Sequence, residues 1–166
     1  MHGPNSRALP NNMENELIPS LTYEQAQKET QRIIAFLRRH LDPDAKAVIG
    51  LSGGIDADVA ARLTCRAIGP ARLKLVIVVQ EGLENRFVLQ ARNTAFSLGL
   101  RLVEIDLSHF SLPLLSAIAA ADLQERFLPA GLLDPARIKS SLRTAVFSTY
   151  VERGYMVVGT SNRTEY

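Results

Sequence analysis

The sequence predicts an α/β fold, in which a doubly wound parallel sheet carries helices on both faces. Two observations support this fold class. Short apolar runs of strand length, at 47–51, 73–79 and 100–105, alternate with longer segments of helical periodicity, at 57–68 and 84–98. In addition, turns of small and polar residues follow the first of these strands and the last short apolar run of the chain. Such alternation is typical of a parallel sheet with right-handed crossovers, whose ligands bind beyond the carboxyl ends of the strands.

The first 20 residues are predicted to be a flexible arm, and residues 21–166 a single domain. The arm is rich in Asn and Pro and shows no periodicity. Thr22 and Gln25 have the spacing of a capping box, so a helix is predicted to begin there and to end before Pro43. Its apolar face consists of Ile33, Ile34, Leu37 and Leu41.

The remaining elements follow in order from the same signals. A strand at 47–51 and a helix reaching Ile68 are followed by a strand at 73–79, a helix at 84–98 ended by Gly99, and a strand at 100–105. The last third holds an apolar stretch at 111–127, an amphipathic helix at 135–153 and a short strand from Tyr155. The two helical segments of this third either close the core of the monomer or pack on a second subunit.

Composition and charge exclude several classes of function. The chain has 166 residues, of which 46% are hydrophobic, and a formal net charge of +2, which gives little support for a nucleic-acid partner. The longest strongly apolar segment, at 73–79, has the length of a strand, so no membrane association is predicted. The single cysteine, Cys65, is predicted to be a core thiol, and a cytoplasmic location follows from the absence of a disulfide pair and of a visible leader. The isolated histidines argue against zinc.

The segment after the first strand has the pattern of a phosphate-binding turn. Gly53 and Gly54 allow backbone N–H groups to approach an anion, and the helix that follows offers its amino terminus. It is not a Walker A loop, because no Gly-Lys-Ser/Thr follows. The alternative is an ordinary strand-to-helix turn in which Asp56 caps the helix. The predicted nucleotide-binding residues are Gly50, Leu51, Ser52, Gly53, Gly54, Ile55, Asp56 and Ala57.

The segment resembles the SGGxDS pyrophosphate loop of the N-type ATP pyrophosphatases. Ser52, Gly53, Gly54 and Asp56 match that loop, whereas Ala57 stands where the loop has its last serine. The second turn, 159–165, resembles the GTxNxxE segment of NAD synthetases. From about Thr22 onward the chain therefore resembles the ammonia-dependent NAD synthetase family. The resemblance implies the Rossmann-like fold of the adenine nucleotide alpha-hydrolases.

This resemblance implies an ATP-dependent ligase that adenylates a carboxylate and amidates it with ammonia, releasing AMP and pyrophosphate. ATP is then a substrate, and Asp56 and Glu165 hold Mg²⁺, for which carboxylate oxygens are suitable ligands. Ser52 and Asp56 are the expected catalytic residues, while Thr160 and Gln80 are expected to contact the nucleotide. The resemblance also favours a homodimer whose acceptor site draws on both chains.

The acceptor half departs further from the family pattern than the ATP half. Segment 137–143 resembles the family's NIxARxR segment, which lines the pocket for deamido-NAD, so Arg137, Ser141 and Arg143 are the expected substrate contacts. Arg137 replaces the family's Asn, and Ser141 replaces its first Arg. These departures suggest the hypothesis that the amidated acid is not deamido-NAD but a related acid.

Several alternatives stay open at the level of sequence. The resemblance implies a domain that lacks the usual C-terminal part, either because the chain is truncated or because it is naturally short. A non-catalytic nucleotide-binding or regulatory homologue is the alternative function, suggested by Ala57 in place of serine. The nitrogen source, free ammonia or a separate glutaminase, is also open. Asp58 is interpreted as an acid of the first helical turn rather than as a metal ligand.

Overall fold

The computed structural model describes residues 21–121 and 135–160. Within these ranges it forms a four-stranded sheet with the strand order β3-β2-β1-β4, in which every pair of neighbours is parallel. The elements, in chain order, are α1 (Tyr23–His40), β1 (Lys46–Gly50), α2 (Ile55–Ile68), a short 3-10 turn (Pro70–Arg72), β2 (Leu73–Val79), α3 (Asn85–Ser97), β3 (Leu102–Asp106), α4 (Ser111–Ala121), α5 (Pro135–Val151) and β4 (Tyr155–Val158).

The sheet is covered by helices on both of its faces. On one face, α1, α2 and α3 contribute to a core cluster that includes Ile49, Ala61 and Leu75. On the other face, α5 places Tyr150 against Val48 and Val76. The chain builds outward from β1 through β2 to β3, and then returns to the opposite side of β1 as β4. This arrangement confirms the predicted doubly wound parallel sheet with helices on both faces.

The central strands are buried because both of their faces are covered. Val48 and Ile49 of β1, and Leu75, Val76 and Ile77 of β2, are at most 1% exposed. Strands of this kind consist of continuous apolar residues instead of alternating ones, which is the pattern that the sequence shows at these positions. The uninterrupted apolar run is therefore explained by burial on two sides.

The described element boundaries lie within two residues of those predicted, and the starts of α2 and β3 differ by two. The capping box of Thr22 and Gln25 opens α1 as predicted, and β2 has the predicted bounds. Helix α2 begins at Ile55, two residues earlier than predicted. Strand β3 begins two residues later than predicted, because the residues after α3 complete its C-terminal cap: Leu100 N–H donates to Ala95 O, and Gly99 adopts φ +65°.

Several sequence predictions lie wholly or partly outside the described residues. They include the flexible arm at 1–20, the end of the apolar stretch 111–127, the later part of the turn 159–165 and the metal ligand Glu165. Within the described ranges, no helix has the length and hydropathy that a membrane span requires. Cys65 is partly buried against the α1–α3 core, as expected of a core thiol, and this burial raises the pKa of the thiol.

Candidate functional site

The candidate site lies between β1 and β4, at the topological switch point of the sheet. Ile49 of β1 is paired with Val158 of β4, so the residues that follow these two strands emerge side by side at the carboxyl edge of the sheet. The glycine-rich turn follows β1, and Thr160 follows β4. The structure therefore brings the beginnings of the two predicted turns together. In doubly wound sheets, this switch point is the usual place of a ligand.

In the part of the chain that the structure describes, no side chain caps the helix that follows the turn after β1. Leu51 continues the strand by donating its N–H to Val76 O at 2.7 Å. The Ser52 hydroxyl accepts a hydrogen bond from Gly54 N–H at 3.2 Å. Gly54 is the N-cap of α2 and supplies no side-chain cap, so the N–H groups of the first helical turn stay available. This geometry suits an anion at the positive end of the helix dipole.

Gly53 allows this turn to lie directly against α3. Its φ of +77° belongs to the region that glycine favours, and a Cβ on it would lie 2.5 Å from the carbonyl oxygen of Phe87. Phe87 lies in the first turn of α3, so the amino terminus of that helix is next to the phosphate-type turn. Both the backbone conformation and the space thus require glycine at position 53.

Asp56 is the second residue of α2 and is exposed to solvent. Because Gly54 is the N-cap, the alternative that Asp56 caps the helix is wrong. Within residues 21–121 and 135–160, no group of three or more His, Cys, Asp or Glu side chains could hold a metal ion. A single exposed carboxylate beside a phosphate site nevertheless fits Mg²⁺, which takes most of its ligands from phosphate oxygens and water.

The two residues after Asp56 make contacts within the protein: Ala57 packs in the core, and Asp58 bonds to Arg62 and to α3. Ala57 is 2% exposed and belongs to the core cluster of α1–α3. Asp58 accepts hydrogen bonds from Arg62 Nε at 2.9 Å and from Thr94 Oγ1 at 2.7 Å. The bond from Arg62, more than that from Thr94, holds the pKa of the Asp58 carboxyl below its usual range. Asp58 thus ties α2 to α3, in agreement with the interpretation that it is not a metal ligand.

A cavity of about 440 Å³ lies between α2 and α3, next to the hydrogen bond between Asp58 and Thr94. Gly53, Gly54 and Ile55 form its wall on the side of the turn, and polar side chains form much of the rest. On the opposite face of the sheet, the Phe147 ring of α5 closes over the end of β1, since a Cβ on Gly50 would lie 2.7 Å from its Cζ atom. Helix α3 therefore contacts the turn on one face of the sheet, and α5 contacts the end of β1 on the other.

Gln80 follows β2 and contacts α5. The residue is 7% exposed, and its Nε2 donates a hydrogen bond to the carbonyl oxygen of Lys139 at 2.9 Å. Lys139 Nζ in turn donates to the carbonyl oxygen of Glu81 at 2.8 Å. Sequence reasoning missed Lys139, although it lies inside the 137–143 segment that was singled out. Its partners are 58 and 59 positions away, so sequence spacing gave no signal for the pair.

Helix α5 presents the three expected acceptor residues on different sides. Arg137 and Ser141 are four residues apart, so they lie on one face of the helix, and both are exposed. Arg143 lies on another face, where it lines a cavity of about 480 Å³ together with Phe147 and Val157. The structure therefore groups Arg137 with Ser141 and places Arg143 toward β4.

The fold and the paired strand ends define an α/β protein of the doubly wound class. Residues 29–166 match the family model for NAD synthase. The match covers more than half of the chain, and the chain belongs to the NAD synthase family. The predicted resemblance is confirmed.

Curated relatives and solved structures agree with this family. The chain is 29% identical over 141 residues to the NH(3)-dependent NAD(+) synthetase of Aeropyrum pernix, covering 82% of this chain and 48% of the relative. It is 32% identical over 139 residues to that of Thermoplasma acidophilum, covering 83% and 54%. The chain thus spans about half the length of the curated relatives it matches.

Three solved structures share the fold. A glutamine-dependent NAD+ synthetase from Acinetobacter baumannii, in complex with ADP, superposes with a TM-score of 0.75 at 19% identity over 88% of this chain and 28% of that one. The NH3-dependent NAD synthetase of Campylobacter jejuni gives 0.63 at 22% identity, over 84% and 58%. The NMN synthetase of Francisella tularensis gives 0.68 at 22% identity, over 82% and 54%.

Proposed function

We propose that this protein is an ATP-dependent amide-forming ligase, which adenylates a carboxylate and amidates it with ammonia, releasing AMP and pyrophosphate. The observation that supports this most is the pairing of Ile49 with Val158, because it sets the glycine-rich turn beside Thr160 at the switch point of the sheet. Membership of the NAD synthase family agrees with it. The fold alone would support only nucleotide binding.

The turn can stabilise the charge that develops when AMP is transferred. The reaction moves negative charge onto the departing pyrophosphate. The N–H groups at the start of α2, which no described side chain caps, and the Ser52 hydroxyl are fixed before the reaction, so little reorganisation is needed when the charge forms. The nucleotide-binding set proposed is Gly50, Leu51, Ser52, Gly53, Gly54, Ile55, Asp56, Ala57 and Thr160. Gln80, which the sequence predicted as a further nucleotide contact, is left out of this set because its side chain is 7% exposed and donates to the carbonyl oxygen of Lys139.

Mg²⁺ is the metal that this chemistry requires, and we propose Asp56 and Glu165 as its carboxylate ligands. Bound to the triphosphate, Mg²⁺ would neutralise charge on the phosphate oxygens. The exposed position of Asp56 in the first turn of α2 supports its part in this proposal. Ser52 and Asp56 are thus the proposed catalytic residues.

The acid would lie against the amino-terminal half of α5. Arg137 and Ser141 share one face there, and a guanidinium group beside a hydroxyl group suits an anionic, phosphate-bearing acid. Arg143 faces the β4 side and is the third proposed contact. The acid is deamido-NAD or a related acid. Because an NMN synthetase shares the fold, the acid whose amide is NMN belongs among the candidates.

The decisive experiment is an assay of pyrophosphate release with ATP, Mg²⁺, ammonia and a panel of acids that includes both candidates. Release that depends on one acid, with stoichiometric AMP, is the expected result. Ser52→Ala and Asp56→Asn are expected to lower the rate about 100-fold, as the loss of one preorganised group does in other enzymes. Asp44→Asn, which changes an exposed acid before β1, is the matched control and should leave the rate unchanged.

The outcomes separate the candidate functions. Release with deamido-NAD supports the activity that the relatives are named for, and release only with another acid supports a related ligase. ATP binding without release for any acid would overturn the proposal in favour of a non-catalytic or regulatory nucleotide-binding protein. Replacing ammonia with glutamine, with and without an added glutaminase, identifies the nitrogen source.

We further propose a homodimer in the cytoplasm. Helix α4 supports the dimer, because its side chains Leu112, Leu114 and Ile118 are 64%, 42% and 39% exposed. Apolar side chains clustered on one helix mark an interaction surface rather than a solvated one. The free thiol of Cys65 agrees with a reducing compartment.

A further inference from the structure

The contact between the end of β2 and α5 is reciprocal. The side chain of Gln80 donates to the backbone of Lys139, and the side chain of Lys139 donates to the backbone of Glu81, at 2.9 and 2.8 Å. Each residue therefore fixes the main chain of the other segment. An arrangement of this kind restrains both position and rotation, whereas a single hydrogen bond restrains mainly a distance.

The β2 side of this contact is a tight turn. Leu83 N–H donates to Gln80 O at 3.0 Å, and Gly82 at the third position has φ +83°. A glycine with positive φ at this position is the signature of a type II turn. No atom of the described residues lies within 4 Å of a Cβ built at Gly82, so the positive φ alone accounts for a glycine at this position. The carbonyl that receives Lys139 Nζ is thus held in place by the turn itself.

Among the described residues, the amino-terminal half of α5 has no buried side chain, although α4 also packs against α5. None of residues 137–143 is buried, whereas Tyr150, near the other end of the helix, is 6% exposed and packs on β1 and β2. The core therefore fixes the carboxyl-terminal half of α5. Among the described residues, hydrogen bonds with the turn at 80–83 connect the amino-terminal half, which holds Arg137 and Ser141, to the edge of the sheet.

The same turn leads directly into α3, which meets the phosphate-type turn. Glu84 is the N-cap of α3, and the Phe87 backbone is the neighbour that excludes a side chain at Gly53. Helix α3 is anchored independently, since Ala91 and Ala95 are buried in the core. Loss of the Lys139 contact should consequently free α5 while the nucleotide turn keeps its place.

We propose that Gln80 and Lys139 are positioning residues that hold the acid-binding half of α5 in register with the nucleotide turn. This inference deepens the proposed function and rests on it for its consequence in catalysis. Gln80 then acts through α5 and not by contacting the nucleotide. The pair determines the position of the acid-binding residues of α5, and ATP binding does not depend on it.

Hydrogen exchange tests the structural step without any activity. In Lys139→Met and in Gln80→Leu, amides of 137–147 are expected to exchange about tenfold faster, while those of β1 and β2 keep their rates. Lys139→Arg, which retains a donor, should restore slow exchange. Lys28→Met, on the exposed side of α1, is the matched control. Unchanged exchange at 137–147 in both variants overturns the proposal.

Steady-state kinetics test the catalytic step. The KM for the acid is expected to rise about tenfold in each variant, the KM for ATP to change less than about twofold, and Lys139→Arg to recover most of the loss. The double variant should lose no more than either single one, because the two residues act as a unit. Equal rises in both KM values, or additive losses, would show a general structural role and overturn the proposal.

The two tests distinguish a failure of the proposed function from a failure of the positioning role. If the wild-type protein neither binds ATP nor releases pyrophosphate with any acid, the proposed function is wrong, while the exchange experiment still decides whether the pair holds α5. If release occurs and the variants have the wild-type KM for the acid, the function stands and the positioning role is wrong.

Discussion

At Gly53, both the backbone conformation and the packing of the site exclude a side chain. Gly53→Ala should lower the free energy of unfolding by about 3 kcal/mol or more, because the positive φ and the contact with the Phe87 backbone both oppose a Cβ. Gly99→Ala is the matched control: its φ is +65° but nothing lies within 4 Å, so a loss of about 1 kcal/mol is expected. Urea unfolding measures both, and equal losses would contradict the steric argument.

Two residue-level expectations show where sequence reasoning ends. The alternative role of Asp56 as a helix cap depended on a helix that begins after it, and helix starts are uncertain from sequence by about two residues. Helix α2 begins at Ile55, so Gly54 is its N-cap residue. Gln80 was placed correctly at the end of β2, but its partner is on α5, which only the folded chain brings near.

At the scale of elements, a hydrogen bond joins α2 to α3. Thr94→Val removes the bond from Thr94 Oγ1 to Asp58 and replaces a buried hydroxyl with a methyl group of similar size. We expect the free energy of unfolding to fall by about 1 kcal/mol. Thr30→Val on α1 is the control for the change in helix propensity. A loss no larger than that of the control would mean that the tie contributes nothing to stability.

The Asp58 carboxyl group also makes stability depend on pH, mainly through its hydrogen bond with Arg62 within α2. The hydrogen bond from Arg62 lowers the pKa of Asp58 in the folded state. Its contribution is therefore present above the unfolded pKa of about 3.9, and is lost as the pH falls through the lower folded pKa. In Asp58→Asn, the drop in unfolding free energy between about pH 5 and pH 2 should be smaller than in wild type. Urea unfolding across this range measures it, with Asp44→Asn as control; parallel curves would refute the assignment.

Elements with strong local signals were predictable from sequence. The capping box fixed the start of α1, and the continuous apolar run fixed β2, because the signal and the cause are the same few residues. Strand β3 was predicted two residues too early. Leu100 is apolar, but its N–H completes the cap of α3 and so is not free for a strand. Apolar character does not tell which hydrogen bond a backbone group makes.

For the molecule as a whole, alternation of strands and helices was sufficient to predict the sheet. It also predicted that the turns after β1 and β4 share one edge, and the pairing of Ile49 with Val158 agrees for the part of the second turn that is described. Helical spacing alone separates Arg143 from Arg137 and Ser141, but it does not show what each face of α5 meets. Only the folded chain shows that Arg143 lines a cavity with Phe147 and Val157.

The helix α4 leads to a prediction about the assembly of the whole molecule. Leu114 and Ile118 are four residues apart, so they share a face, and both are more than a third exposed. If that face is the dimer interface, sedimentation velocity should give a wild-type mass near twice 18.3 kDa. The pair Leu114→Lys and Ile118→Lys should then give a monomer, because burying two ammonium groups without partners is costly.

Helix α3 offers the matched control for this experiment. Leu89 and Phe96 are seven residues apart on one face and are 58% and 87% exposed, so α3 presents an apolar patch of its own. Leu89→Lys with Phe96→Lys should leave the dimer intact. A monomer from the α3 pair and a dimer from the α4 pair would move the interface to the other face of the sheet. In that case, the exposed apolar face of α4 would not be the dimer interface, and its exposed leucines would need another explanation.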